Sequence, residues 1–263
     1  MSLTKISIHN FRCFDDVEIL LSPGINFFYG PNGSGKTSIL ESVFIFSSGK
    51  SFKSSNLMSL IKYEKEKFSI KGFDGTRGHI VEVEKSKTKP ISVLLNNKKT
   101  VTSKLIKKFP CTPIHNNTFS FADASPDFRR KLLDRSIFIA EDSFSACWFA
   151  YHRTLKQRNG LLKNNRISDI YAWNTKLSKE GIELTRYRKH FFEQTLDEFN
   201  FLLDFLKPNS VFSFFDFINI EFFQGWDSEK SYFELLEENI ENDLKRRSTT
   251  KGPHKSDIKF LIN

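Results

Sequence analysis

At 263 residues the chain can form one large domain or two smaller ones with their own cores, and its net charge of +9 points toward anionic partners. No apolar run reaches the roughly 18 residues of a membrane helix and no cleavable signal pattern opens the chain, so a soluble cytoplasmic protein is expected. Cys13, Cys111 and Cys147 stand far apart with no C-x-x-C spacing, which argues against a zinc site or disulfide framework and predicts buried, small apolar side chains.

Residues 1–29 read as strands. The segment LTKISIHNF alternates Ile6 and Ile8, VEILLS follows, and the apolar run Ile25–Tyr29 predicts a buried strand leading into a glycine-rich loop. In that loop Gly30, Gly35, Lys36 and Thr37 match G-x-x-x-x-G-K-[ST], with Gly33 as an added glycine. Glycines let the backbone turn its N–H groups inward as an anion nest, and a helix starting near Lys36 adds the positive end of its dipole. In such a loop the lysine reaches the β- and γ-phosphates and the hydroxyl of Thr37 ligates Mg²⁺. Ile39, Leu40, Val43 and Phe44 repeat at helical spacing, and that stripe is expected to pack on the sheet.

After this helix, GKSFKSS is a polar, basic loop. KFSIKGF, HIVEVEK and ISVLLNNKKTV read as short amphipathic strands of an antiparallel sheet, with Asn96 and Asn97 as a hairpin turn. From Ser125 the patterns become helical. SPDFRRKLLDRSIF starts with Ser125 as N-cap and Pro126 at the first helical position. SFSACWFAYHRTLKQRNGLLKNN carries Trp148, Tyr151, Leu155 and Leu162 at helical steps, and a third pattern runs from about Ser168 to Leu206, ahead of Pro208. SVFSFFDFINIEFF then reads as a strand, YFELLEENIENDLKRR as an acidic helix and DIKFLIN as a last strand. Three segments follow: 1–124 with the glycine loop and antiparallel sheet, 125–207 as a helical arm, and 208–263 returning to the first part.

The charge is unevenly placed. Bases outnumber acids by eight over residues 61–115 and by six over 116–190, whereas acids lead by six over 191–263. A polyanion such as DNA would find its attraction between residues 61 and 190; the alternative is a solvated, lysine-rich surface.

Five separated segments resemble the RecF family of bacterial recombination mediators, repair relatives of the SMC-type ABC ATPase heads. They are NFRCFDD and GPNGSGKTSILESVF near the start, SPDFRRKLLD and LKQRNGLLK in the helical region, and GPHKSDI near the end. The resemblance covers essentially the whole chain. It implies an α/β P-loop ATPase head with an inserted helical arm, with ATP and Mg²⁺ as cofactors. It further implies dimerisation on ATP, binding to gapped, single-stranded and junction DNA, recombinase loading with RecO and RecR, and a part in DNA replication and SOS induction. The nucleotide site would comprise Gly30, Pro31, Asn32, Gly33, Ser34, Gly35, Lys36 and Thr37. Arg12 resembles a head position near the nucleotide, the alternative being an exposed turn arginine. Arg129 and Arg130 contact DNA or pair with Asp134. Lys156, Arg158 and Lys163 contact DNA phosphates or form a solvated helix face, and Lys50 and Lys53 stand near nucleotide or DNA.

An ABC-type head also needs a signature loop and an apolar Walker B strand ending in acids, which hold the metal and attacking water. Apolar runs precede Asp134 and Asp204, but both lie in helical patterns without a following acid, and LSKEG at Leu177 lacks the signature glutamine. The expectation is therefore a head without its C-terminal core strands, able to hold nucleotide at the loop, impaired in hydrolysis and with no identified catalytic acid. Competing classes are a small-molecule kinase or GTPase, a transporter ATPase subunit and a non-enzymatic remnant. NKKT at Asn97 lacks the aspartate of a guanine-recognition N-K-x-D motif, and no feature predicts a membrane partner.

Overall fold

Two-residue alternation of apolar side chains builds the first sheet. The computed structural model describes residues 3–114, 121–166, 168–206, 218–227 and 229–262. It divides into two units, Met1–His115 and Asn116–Asn263. In the first, β1 (Leu3–Phe11), β2 (Phe14–Leu20), β3 (Lys67–Asp74), β4 (His79–Ser86), β5 (Ser92–Leu95) and β6 (Lys98–Lys99) form an antiparallel sheet in the order β2-β1-β3-β4-β5-β6. Ile6, Ile8, Phe68, Ile70, Val81, Val83 and Val93 put their alternate side chains on the buried face. Asn96 and Asn97, at φ +50° and +61°, make the tight turn that the right-handed strand twist favours in hairpins.

Helix α1 (Lys36–Ser48) and helix α2 (Thr102–Lys108) cover that face, with Ile45, Phe46 and Leu105 in its core. Gly72 on β3 makes this approach possible, because a Cβ there would lie 2.3 Å from the Phe46 ring. The expected stripe on α1 is only partly engaged. Phe44 is buried and Ile39 and Val43 pack at the core margin, but Leu40 is 52% exposed. The core-facing arc is centred further along the helix, on Ile45 and Phe46.

The run Ile25–Tyr29 differs from expectation. It is irregular rather than a strand, and Ile25, Phe27 and Tyr29 are 78%, 83% and 95% exposed. Among the described residues no strand hydrogen-bonds to it, so its apolar side chains have no sheet to pack within. Locally, the Asn26 carboxamide accepts from Ser22 N and donates to Ser22 O, each at 2.9 Å, fixing the turn that feeds the run. The cysteines also differ: Cys13 is exposed and Cys111 and Cys147 are half-buried, and none of the three forms a disulfide. Cys13 is exposed because it lies in the β1–β2 turn.

In the second unit, α3 (Pro126–Ala140), α4 (Phe144–Lys163) and α5 (Ile170–Leu206) pack with the antiparallel pair β7 (Ile218–Phe223) and β8 (Asp257–Ile262) and with α6 (Tyr232–Glu238) and α7 (Ile240–Arg246). Ser125 caps α3 by accepting from Phe128 N, with Pro126 in the first turn. The expected acidic helix is two helices hinged at Asn239, whose amide donates to Asp243 and Thr250 rather than continuing one rod. Tyr151, Leu155, Leu177, Leu184, Tyr232 and Leu236 form the core, so the helices of residues 125–206 share one interior with the C-terminal elements. Pro208 and the first half of SVFSFFDFINIEFF lie outside the described residues.

Candidate functional site

The β1–β2 turn, the glycine loop and the basic loop after α1 converge on one open cavity of about 650 Å³. Arg12, Cys13, Asn32, Gly33, Gly35, Lys36, Thr37 and Lys53 contribute to its lining. Gly30, Gly33 and Gly35 all take positive φ, +146°, +85° and +92°. Gly35 is constrained twice over: its φ is disfavoured for L-residues, and a Cβ would meet Phe14 Cζ at 2.5 Å. As the N-cap of α1 it offers no side chain to the helix start. The N–H groups of Lys36, Thr37 and Ser38 have no intrahelical acceptor, which leaves a concentrated set of donors at the positive end of the helix.

Lys36 Nζ donates to Gly30 O at 2.8 Å and Pro31 O at 2.7 Å, bridging the loop. Ser34 N donates to Pro31 O at 3.3 Å, so Pro31 and Ser34 shape the loop outside the cavity lining. The Thr37 hydroxyl is on the exposed side of the first turn. Among the described residues no carboxylate lines the cavity. Backbone donors, the cationic side chains of Arg12, Lys36 and Lys53, and the hydroxyls of Thr37, Ser38 and Ser59, with no acid in the described lining, fit a polyphosphate anion.

Arg12 sits at the edge of this cavity in a left-handed conformation, φ +53°, with its N–H bonded to Leu60 O at 2.8 Å. Its guanidinium binds buried Glu41 through two bonds of 3.0 Å. Ser51 Oγ also donates to Glu41, so this one carboxylate ties α1 to the β1–β2 turn and the basic loop. Lys53 reaches the cavity, whereas Lys50 is exposed outside its lining. Glu41, Cys13 and Ser59 were not identifiable from the motif, since nothing in their spacing distinguishes them from ordinary helix and turn residues.

The other arginines separate by burial. Arg158 is 0% exposed, donating to Asp243 Oδ2 at 2.6 Å, Thr249 Oγ1 at 2.7 Å and Asn174 Oδ1 at 2.6 Å. Its side chain is enclosed in the second unit and does not present a DNA contact. Arg129 forms a bidentate pair with Asp257 at 2.8 Å and also donates to Ala122 O and Ala124 O. The hydrogen bond to Asp257 raises the Arg129 pKa above the ordinary arginine value. Arg130 donates to Ser256 O at 2.7 Å, and burial lowers its pKa despite the attraction of Asp127. Asp134 does not take Arg130 as its partner. It is held by Arg188 at 2.7 and 2.8 Å and by Trp148 Nε1 at 2.8 Å. Arg188 also donates to Pro253 O and Ser256 Oγ. Thus SPDFRRKLLD, LKQRNGLLK and GPHKSDI, distant in sequence, meet around one arginine-rich polar network. Lys156 and Lys163 remain exposed on α4.

A family model described as an AAA domain matches residues 5–252. A DNA replication and repair protein RecF from Shewanella baltica is 32% identical over 271 residues, covering 100% of this chain and 72% of the relative. A RecF from Glaesserella parasuis is 33% identical over 269 residues, with the same coverages. The chain belongs to the RecF family. A solved structure of RecF with ATP, a recombination mediator of the RecFOR pathway, superimposes with a TM-score of 0.78 at 25% identity, covering 99% of this chain and 73% of that one. An Smc head domain from Pyrococcus furiosus shares the fold alone, with a TM-score of 0.51 at 16% identity and coverages of 99% and 71%. The fold class is the α/β P-loop ATPase head of the RecF and SMC type, and the family's work is DNA replication and repair.

Proposed function

We propose that this RecF-family chain binds ATP with Mg²⁺ at the glycine loop and uses its basic surface to recognise gapped, single-stranded or junction DNA. On this reading it assists recombinase loading in recombinational repair, with RecO and RecR as partners, in the cytoplasm and in support of SOS induction. The observation that carries it is the cavity in which the Gly30–Thr37 loop, Lys36 and Lys53 converge without a carboxylate. Bound ATP supplies a polyphosphate chain whose negative charge complements this donor set. The backbone N–H groups of Gly35, Lys36 and Thr37 hold phosphate oxygens, and Lys36 exchanges its bonds to Gly30 O and Pro31 O for phosphate contacts. The Thr37 hydroxyl would hold the magnesium ion that accompanies ATP. Arg12, paired with Glu41, fixes the cavity wall, while Lys53 adds positive charge.

No carboxylate stands among the described lining residues, so hydrolysis at this cavity and ATP-driven pairing of two copies are expected to be impaired. The helical stretch 125–207 serves as the arm that carries DNA contacts, through Lys156 and Lys163. The test is binding of a labelled gapped duplex at about 50 and 200 mM salt, with and without ATP. Binding that falls steeply with salt and responds to ATP is expected. Absence of binding at the lower salt concentration contradicts the DNA reading, and Lys36-dependent ATP turnover contradicts the impaired-hydrolysis one.

A further inference from the structure

From Ser143 to Ser168 the sequence contains five lysines and arginines and no Asp or Glu. Helix α4 occupies most of that stretch, and its inward face is settled by Phe144, Tyr151, Leu155, Arg158 and Leu162, all buried. At about 100° per residue, Phe149, Arg153, Lys156, Gly160 and Lys163 fall within a single arc of roughly 80° on the opposite side. Phe149 is 60% exposed and the three cations are exposed. Many exposed cations elsewhere have acidic partners, including Lys67 with Glu84, Lys87 with Glu66, Lys131 with Asp127 and Lys230 with Glu238. Among the described residues Arg153, Lys156 and Lys163 have no ion pair, and like charges three or four residues apart repel.

Two further features of this face have no use inside the unit. Gly160 weakens a helix interior relative to alanine, yet a Cβ there would meet nothing within 4 Å, so internal packing does not require it. It lies between Lys156 and Lys163, where the missing side chain opens the helix backbone to close approach. At the other end, Phe149 packs edge-on to Trp148 at 5.3 Å, and Trp148 also lies 4.0 Å from the His152 ring. Asp134 pins the Trp148 indole, which supports the exposed Phe149 ring from behind.

We propose that this face of α4 binds single-stranded DNA, with Arg153, Lys156 and Lys163 following successive phosphates and Phe149 stacking on an unpaired base. A row of cations that begins at an anchored aromatic ring suits a flexible strand whose bases are available for stacking. An acidic protein segment is less well matched, because Phe149 is the single large apolar side chain on the arc and leaves no apolar core for an interface. The inference rests on the proposed DNA-binding reading and identifies its surface.

The test uses the whole 263-residue chain, fluorescence anisotropy and a labelled oligothymidine of about 30 nucleotides, over about 50 to 200 mM salt. The triple variant R153Q/K156Q/K163Q is compared with K98Q/K99Q/K104Q, an equal charge change at exposed positions of the first unit. The α4 variant is expected to lose at least about tenfold in affinity and to flatten the log–log salt slope by about 2, at roughly 0.7 per phosphate contact. The control loses less than about threefold. Phe149→Ala is expected to cost roughly tenfold with the slope unchanged, as for loss of a stacked base. Equal losses in the two triple variants overturn the α4 assignment while leaving DNA binding intact. Competition by polyglutamate as effective as unlabelled oligothymidine overturns it in favour of an acidic protein partner. No binding of oligothymidine or gapped duplex by the unaltered chain overturns the inference and the DNA reading together.

Discussion

The two units handle positive charge in opposite ways. In Met1–His115, Lys36 bridges two loop carbonyls at the wall of an open cavity, where a stronger acceptor can replace them. In Asn116–Asn263, Arg129, Arg158 and Arg188 engage carboxylates and carbonyls that are already in place. The difference teaches that an arginine in a recurring motif can be an organiser rather than a contact. A buried guanidinium has lost its water and persists only because its partners are fixed. Lys36, at the start of α1, holds two loop carbonyls and no carboxylate, and so remains available to a ligand.

Breaking the second unit's network gives the largest expected effect. Arg158→Ala removes one member of a fully buried pair and leaves Asp243 without its cation, a loss of about 3–5 kcal/mol by chemical denaturation. A loss below about 1 kcal/mol would show that the pair does not organise the unit. ATP affinity should persist wherever this variant remains folded, because Arg158 has no part in the glycine-loop cavity.

A pH dependence should follow from the same region. His254 Nε2 faces Thr249 O at 2.8 Å, which makes that nitrogen the donor, and Nδ1 accepts from the Tyr151 hydroxyl at 2.7 Å. Burial is the leading cause that lowers its pKa from 6.5 to about 4, opposed by the bond to Thr249. The folded state thus favours neutral imidazole. Between pH 6.5 and about 4 the unfolded chain binds more protons, so this stabilisation is complete above 6.5 and is lost as pH falls toward 4. The expected size is about 2–3 kcal/mol. Denaturation at pH 7 and 4.5 should show this loss in the unaltered chain and a smaller one in His254→Asn; equal losses would contradict it.

In the first unit, Gly35→Ala tests whether the loop is specified by backbone conformation. Its positive φ and the close Phe14 ring predict a stability loss of about 1–2 kcal/mol, accompanied by at least a tenfold loss of ATP affinity. Unchanged ATP binding would separate the loop's shape from its function. The smallest effect is expected for Ser231→Ala, which removes a capping box with Glu234 at the start of α6 and should cost about 1 kcal/mol.

Local periodicity made much of this fold legible. The β1 alternation, the Asn96–Asn97 turn, the Ser125–Pro126 helix start and the glycine loop all depend on neighbouring residues, and each is visible in a short segment. Features decided by distant partners were not. The exposure of Ile25–Tyr29 depends on which strands pair beside it, and the burial of Arg158 depends on Asp243 and Thr249, 85 and 91 residues away. Glu41 looked like an ordinary helix residue until the β1–β2 turn brought Arg12 against it. The split between α6 and α7 likewise depends on Thr250, which draws Asn239 out of a continuous helix.

The most direct test of the central claim is calorimetric titration of the unaltered chain and Lys36→Ala with ATP and Mg²⁺. The account predicts saturable binding by the unaltered chain and at least a tenfold weaker affinity for Lys36→Ala, with both chains folded. Equal affinity in the two, or no binding by the unaltered chain, would contradict the assignment of this loop as the nucleotide site.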